Sequence, residues 1–166
     1  QSGSEAAVTS SVVWAEALAI PDVLSDVLDD VAAITQVARI LCSGSRIVAT
    51  GNGAALYAAQ AMSMAAWASP SSRFDVVAVP AGVISSRSWQ WRAGDVPLVF
   101  SSSGELRDIA ALVPDGMPPT WVLSTSTAGS ALHQGATASV VVPIRGQRAV
   151  THTQAFTGNV LVALML

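Results

Sequence analysis

Three consecutive serines followed by glycine and glutamate, Ser101-Ser102-Ser103-Gly104-Glu105, are the residues of this chain best suited to chemistry. They follow the apolar run Val96-Pro97-Leu98-Val99-Phe100, which reads as a buried strand, and they precede a helical pattern that reaches Val113. A strand-to-helix turn presents free backbone N–H groups and the positive end of the helix dipole to whatever lies in front of it. Hydroxyls and a glycine in such a turn suit an anion, above all a phosphate. Glu105 does not belong in a bare anion hole, so a sugar hydroxyl would share the site. Without a ligand, the same serines serve as helix N-caps, and Glu105 stabilises the helix dipole from the first turn. His152 is the other group able to do chemistry, because imidazole exchanges a proton near neutrality; a polar packing role is its alternative. His133, in a short helical pattern after Gly129, reads as structural.

The elements that must hold these groups belong to a chain of 166 residues, enough for one domain with a sizeable core. Hydrophobic residues make up 51% and charged residues 11%, which implies that a partner or further chain covers part of the surface. No apolar run reaches the ~18 residues a bilayer span needs. No basic-then-apolar leader opens the chain, so the expected location is the cytoplasm. All eight basic residues are arginine, which excludes a Schiff-base or P-loop lysine within this stretch. The net charge of −3 and the scattered arginines leave no basic stripe for nucleic acid. Cys42 stands alone, so neither a disulfide framework nor a cysteine-based metal site can form. At the end of an apolar helical pattern it reads as a buried thiol. The residues call for no cofactor and no metal.

Helical spacing covers Val12–Leu18 and then Pro21 to Leu41 as one helix, closed by Gly44. Five short apolar runs read as strands: Arg46–Thr50, Phe74–Val79, Val96–Phe100, Thr120–Leu123 and Ser139–Val142. Helices are expected at Ala54 to about Trp67, Glu105–Val113, Gly129–Gly135 and from Val150 onward, with an irregular stretch between Pro80 and Gly94. This alternation predicts an α/β, three-layer αβα sandwich around a five-stranded parallel sheet. Its ligand site should lie at the carboxyl ends of the strands, where the strand order reverses. Trp121 falls within a strand and is expected in the core. Trp89 and Trp91 alternate in the irregular stretch and would cover a pocket or, preferably, a partner surface. The apolar run Val160–Leu166 lacks a closing glycine, basic residue or proline, so the polypeptide is expected to continue.

Several further stretches add to the serine turn: Glu16 followed by Ile20-Pro21, then Thr50-Gly51-Asn52-Gly53-Ala54-Ala55, then Ser124 to Leu132, then Thr151-His152-Thr153-Gln154-Ala155-Phe156-Thr157. In order and spacing, across roughly Val13 to Leu166, they resemble the sugar isomerase (SIS) phosphosugar-binding domain. That resemblance implies a flavodoxin-like sheet and a single domain over 1–166, with a helical lead segment at 5–43 and a sheet domain at 46–166. It further implies the first of two copies in a longer chain, because the helix from Ala54 to Trp67 carries no Glu or Lys.

The implied function is phosphosugar binding in a sugar-phosphate isomerase, deglycase or aminotransferase-type protein. The implied ligand is fructose 6-phosphate or an amino-sugar or fructosamine phosphate, bound by a homodimer without nucleic acid or membrane. The implied contacts are Gly51, Asn52, Gly53, Ala54, Ala55, Ser101, Ser102, Ser103, Leu106, Ser124, Thr151 and Thr153. Glu105 and His152 are the acid–base candidates, with the key catalytic residues supplied from outside this stretch. The sequence departs from the family pattern at Leu106, where threonine is usual, and at Ala54 and Ala55, where serine or threonine is usual. Gln147 and Gln154 stand where glutamate and lysine are often found. Each hydrogen bond to a charged group lost in this way costs about 1.5–3 kcal/mol. Two alternatives follow: a non-catalytic sugar-phosphate sensor, although no basic helix-turn-helix precedes the first strand, and a degenerate dimerisation domain.

Overall fold

The structure, a computed structural model, describes residues 12–69, 72, 74–113, 116–146, 148 and 152–166. Its strands are β1 (Arg46–Gly51), β2 (Asp75–Pro80), β3 (Asp95–Ser101), β4 (Val122–Thr125) and β5 (Ala138–Val141). All pair in parallel in the order β2-β1-β3-β4-β5. The order reverses between β1 and β3, the flavodoxin-like arrangement. Strands β1, β3 and β4 are buried along their whole length, which is why their sequences run apolar without alternation.

The helices are α1 (Val12–Leu18), α2 (Ile20–Asp29), α3 (Val31–Leu41), α4 (Ala54–Ala68), α5 (Ala81–Ser85), α6 (Arg107–Ala110), α7 (Ala131–Gly135) and α8 (Thr153–Met165). They cover the two sheet faces unequally. Ile47, Ala49, Leu98, Phe100 and Val122 point to one face and pack beneath α2, α3, α4 and α8. Val99 and Leu123, one residue out of phase, point to the other face and meet Ala81, Ile109 and Leu132 from the short helices α5, α6 and α7. Trp121 joins this second cluster with 2% of its surface exposed, a core residue as expected. Trp89 and Trp91 meet edge to face, 6.2 Å apart, and lean against Val48, Val79 and Ile84.

Four local expectations are corrected. The single helix from Pro21 to Leu41 breaks at Asp30, whose carboxylate caps α3 by accepting from Ala33 N at 3.2 Å. An aspartate that caps one helix leaves the preceding helix by the same step. Cys42 is exposed rather than buried; Leu41 is the last inward position of α3, and Cys42 is its C-cap, turned outward. The helix expected at Glu105–Val113 contracts to α6, which leaves Glu105 in the loop. Strand β4 runs two residues further than Leu123, so Ser124 and Thr125 are interior strand residues.

Most hydroxyls buried in a protein find hydrogen-bond partners. Ser124 Oγ donates to Asn159 Oδ1 of α8 at 2.6 Å, a bond buried between sheet and helix. Ser124→Ala therefore strips a buried acceptor of its donor and is expected to lower stability by about 1–3 kcal/mol. Thermal unfolding reads this as a loss of roughly 2–4 °C per kcal/mol; an unchanged melting temperature would show that the pair contributes nothing.

The amino end of the sheet is closed by an ion pair. Arg46 and Asp95, the first residues of β1 and β3, are register partners. Arg46 donates Nε to Asp95 Oδ1 at 2.8 Å and Nη2 to Oδ2 at 2.6 Å. Arg92 N adds a third bond to Oδ2 at 2.8 Å, and the guanidinium lies 5.2 Å from the Trp89 ring centroid. The segment leading into α8 is anchored differently. Gln154, fully buried, accepts from Arg145 N at 2.7 Å and donates to the carbonyls of Glu16 (3.0 Å) and Arg145 (3.2 Å). Glu16 in turn accepts from Arg148 N, and the Arg145 guanidinium pairs with Asp22 and Asp26 of α2 at 3.2 and 2.6 Å.

Candidate functional site

At the carboxyl ends of β1 and β3, where the strand order reverses, lies a cavity of about 390 Å³. Three segments wall it. The turn after β1 contributes Asn52, Ala54 and Ala55; the end of β3 and its loop contribute Phe100, Ser101, Ser102, Ser103 and Leu106; the start of α8 contributes His152.

The first segment is shaped by glycine. A Cβ on Gly51 would stand 2.9 Å from the Ala55 Cβ and 3.0 Å from the Phe100 carbonyl oxygen, so only glycine lets β1 turn this tightly. Gly53, at φ +54°, is the N-cap of α4 and offers no side chain to its first N–H groups. Asn52 is exposed and donates Nδ2 to Asp108 Oδ2 of α6 at 3.0 Å, joining two walls of the cavity.

The serine loop is held from within and from behind. Ser101 Oγ accepts from Gly104 N at 3.1 Å, and Ser103 Oγ accepts from Glu105 N at 3.2 Å. A hydroxyl that accepts from the backbone still has its own proton to donate to a ligand. The Ser102 carbonyl accepts from Ser126 N and Thr127 Oγ1, both at 3.1 Å, which ties the loop to the segment after β4. Gly104 sits at φ +64°, and a Cβ there would fall 1.9 Å from Ser130 Oγ. Gly104→Ala is therefore expected to cost about 1–3 kcal/mol in backbone strain and to displace the loop. The check is thermal unfolding beside ligand titration, and a variant as stable as the parent would refute the strain.

The third segment starts with His152, the N-cap of α8, at φ +47°. A left-handed backbone is uncommon outside glycine, although histidine and asparagine enter it more readily than most. Helix α8 also lacks a side-chain cap, and Thr153 Oγ1 is buried without a hydrogen-bond partner. Two helices of 15 and 13 residues thus open at one cavity, and neither N-cap residue, Gly53 or His152, makes a side-chain cap bond. Together with the serine turn they direct backbone N–H groups and helix dipoles toward the cavity, whose lining among the described residues carries no lysine or arginine.

Of the residues expected at the site, Asn52, Ala54, Ala55, Ser101, Ser102, Ser103, Leu106 and His152 come together. Gly51 and Gly53 shape the first turn. Ser124 does not reach the cavity; it is fully buried on Asn159. Glu105 is exposed in the loop, outside the lining. Thr151 and Gln147 lie outside the described residues. His133 stays remote from the lining, its Nδ1 accepting from Gly129 N at 3.2 Å. Sequence reasoning missed Asp108 and the anchoring role of Gln154. The signal for Asp108 was a second acid one helical turn after Glu105; Gln154 had none, because its partners lie as far off as Glu16.

No family model and no curated protein matches the chain. Solved structures do match. The C-terminal domain of glucosamine-fructose-6-phosphate aminotransferase from Francisella tularensis aligns at TM-score 0.80 and 15% identity, over 94% of this chain and 46% of that one. The Vibrio vulnificus NanR protein complexed with ManNAc-6P aligns at 0.69 and 16%, over 97% and 62%. The sugar isomerase domain of an RpiR transcription factor from Sphaerobacter thermophilus aligns at 0.64 and 18%, over 89% and 85%. The chain spans about half to three fifths of the length of the first two. At these identities the likeness is one of fold. The chain has the sugar isomerase (SIS) domain fold that these solved structures share.

Proposed function

We propose that the cavity binds a sugar phosphate, with the phosphate against Ser101, Ser102 and Ser103 and the sugar toward Asn52 and His152. The observation that carries this reading is the meeting of the serine turn with the N-termini of two helices at one cavity. That is the arrangement in which backbone N–H groups and helix dipoles hold an anion. The cavity volume of about 390 Å³ is within the range of small-ligand sites. The NanR structure carries ManNAc-6P on the same fold, which agrees with this ligand class.

Within such a reading the domain serves a sugar-phosphate isomerase, deglycase or aminotransferase-type protein. Glu105 and His152 are its candidates for proton transfer, and fructose 6-phosphate or an amino-sugar phosphate is its ligand. A sensor is the second reading, and one observation favours it: among the described residues, no carboxylate and no lysine lines the cavity. Proton transfer between adjacent sugar carbons needs such a base within hydrogen-bond reach. A homodimer is part of both readings; Tyr57, Met64 and Trp67, exposed along α4, are apolar surface for it to cover.

The test is a thermal-shift titration with fructose 6-phosphate, glucosamine 6-phosphate, free fructose and inorganic phosphate. A ligand at 100 times its dissociation constant stabilises by about 2.7 kcal/mol, a shift of roughly 5–11 °C for a chain of this length. Stabilisation by the phosphosugars and not by fructose is the expected result. Equal silence from all four at millimolar concentration would sink the reading.

A further inference from the structure

Beside the short helices α5 and α6 lies a second cavity, of about 430 Å³, which shares no lining residue with the candidate phosphosugar site. The segment after α5 supplies Arg87, Trp89 and Trp91, and the turn after α6 supplies Leu112 and Gly116. Trp91 Nε1 donates to the Gly116 carbonyl at 2.7 Å and so fastens one wall to the other. Trp89 meets Trp91 edge to face, and its own Nε1 is buried without a hydrogen-bond partner. Buried donors without an acceptor are uncommon in folded proteins. Among the described residues, Arg87 is the one charged group of the lining. Its side chain is exposed and makes no ion pair or hydrogen bond.

The backbone of Arg87 is also unusual. The residue follows Ser86, the C-cap of α5, and holds φ +59°. Glycine most often fills that position, because a Cβ strains it. The turn does not need the guanidinium: Ser85 Oγ donates to the Gly82 carbonyl at 3.1 Å, and Ser86 Oγ to the Val83 carbonyl at 2.8 Å. An arginine is thus held at a strained position, in the wall of a cavity, with no task in the fold. Strain kept without a structural return points to function.

We propose that this cavity is a binding site for a small aromatic monocarboxylate, with the carboxylate on the Arg87 guanidinium and the ring among Trp89, Trp91 and Leu112. One cation answers one negative charge, and the guanidinium fork matches a carboxylate with two parallel bonds. The remaining lining is indole and aliphatic, which suits an aromatic body. A sugar or a nucleotide would leave most of its hydroxyls or phosphate oxygens without partners there, since Trp91 Nε1 is already taken. The site stands whether or not the other cavity holds a phosphosugar, for the two have no residue in common.

Calorimetric titrations with 3-phenylpropionate, its neutral amide and acetate test this on the parent, Arg87→Gly and Arg87→Asn. Glycine and asparagine both accept a positive φ, so neither variant should melt below the parent. The parent is expected to bind 3-phenylpropionate at about 1 mM or tighter, with the amide roughly tenfold weaker or more and acetate silent. Both variants should lose roughly tenfold or more in affinity for the carboxylate, the effect of removing its charged partner. A parent that does not bind 3-phenylpropionate at about ten times that concentration overturns the site. Equal binding of acid and amide, or variants that bind as the parent does, overturns the role of Arg87. Acetate bound as tightly as 3-phenylpropionate overturns the aromatic class. Variants that melt well below the parent would make Arg87 a structural residue and overturn the proposal as well.

Discussion

Asp95→Ala is expected to lower the stability of the protein by about 3–5 kcal/mol, the cost of leaving a buried charge without its partner. Arg46→Ala should cost a similar amount for the same reason. Asp95 is 6% and Arg46 8% exposed, their two bonds are bidentate, and the pair joins the first residues of the two central strands. For a chain of this length the loss corresponds to roughly 6–20 °C in melting temperature. Replacing both residues at once by Arg46→Met and Asp95→Leu should recover much of the loss, because well-packed apolar groups often match a buried ion pair. Denaturant unfolding of the parent, the two single variants and the double variant measures this directly; single variants within 1 kcal/mol of the parent, roughly the worth of a surface pair, would refute it.

The same pair sets an acid limit. Burial by itself would push the Asp95 carboxyl up, but the Arg46 hydrogen bonds, the Arg92 N–H and the nearby guanidinium charges together hold it below the ordinary 3.8. Arg46 is raised above its ordinary value by the Asp95 hydrogen bond and stays charged throughout. A carboxyl depressed in the folded state contributes its stability above the unfolded value and loses it as pH falls through the folded one. Stability is therefore expected to drop below about pH 3.8, and Asp95→Ala should remove that part of the acid dependence. A variant with the parent's acid profile would assign the drop to other carboxylates.

The second large effect concerns binding. Ser101→Ala together with Ser103→Ala removes two hydroxyl donors from the proposed phosphate turn. At about 1.5–3 kcal/mol for each hydrogen bond to a charged group, the double variant should bind a hexose phosphate roughly a hundredfold to ten-thousandfold more weakly. The fold should survive, since Ser103 is exposed and Ser101 gives up only the bond it accepts from Gly104 N. The converse substitution, Leu106→Thr, adds a hydroxyl to the cavity wall and should strengthen binding. Calorimetry on folded variants separates the outcomes. A double variant that binds within twofold of the parent would place the phosphate elsewhere.

Much of this fold is legible without coordinates. The apolar runs at Arg46 and Val96 become the central strands β1 and β3 within one residue at either end, because a strand buried on both faces has nowhere to put a charge except at its ends. Turns that only glycine can make mark Gly51 and Gly104, and the serines after β3 announce a strand-to-helix turn by type alone. Local rules misjudged what distant residues decide. Ser124 reads as a loop hydroxyl ready for a ligand, yet it is drawn inside by Asn159, 35 positions later. Gln154 reads as a missing charge, yet it is the buried tie between α1 and the segment before α8.

By itself, then, the order of residues determined the layer architecture, the parallel sheet and the serine turn, since each depends on hydrophobic period and backbone freedom within a dozen neighbours. Tertiary structure alone decided that the serine turn, Asn52 and His152 share one cavity, and that Glu105 is left outside it. Those meetings depend on the strand order and on where α8 is anchored. Both are settled by which apolar faces and buried polar groups satisfy one another across the whole chain, a condition no local stretch contains.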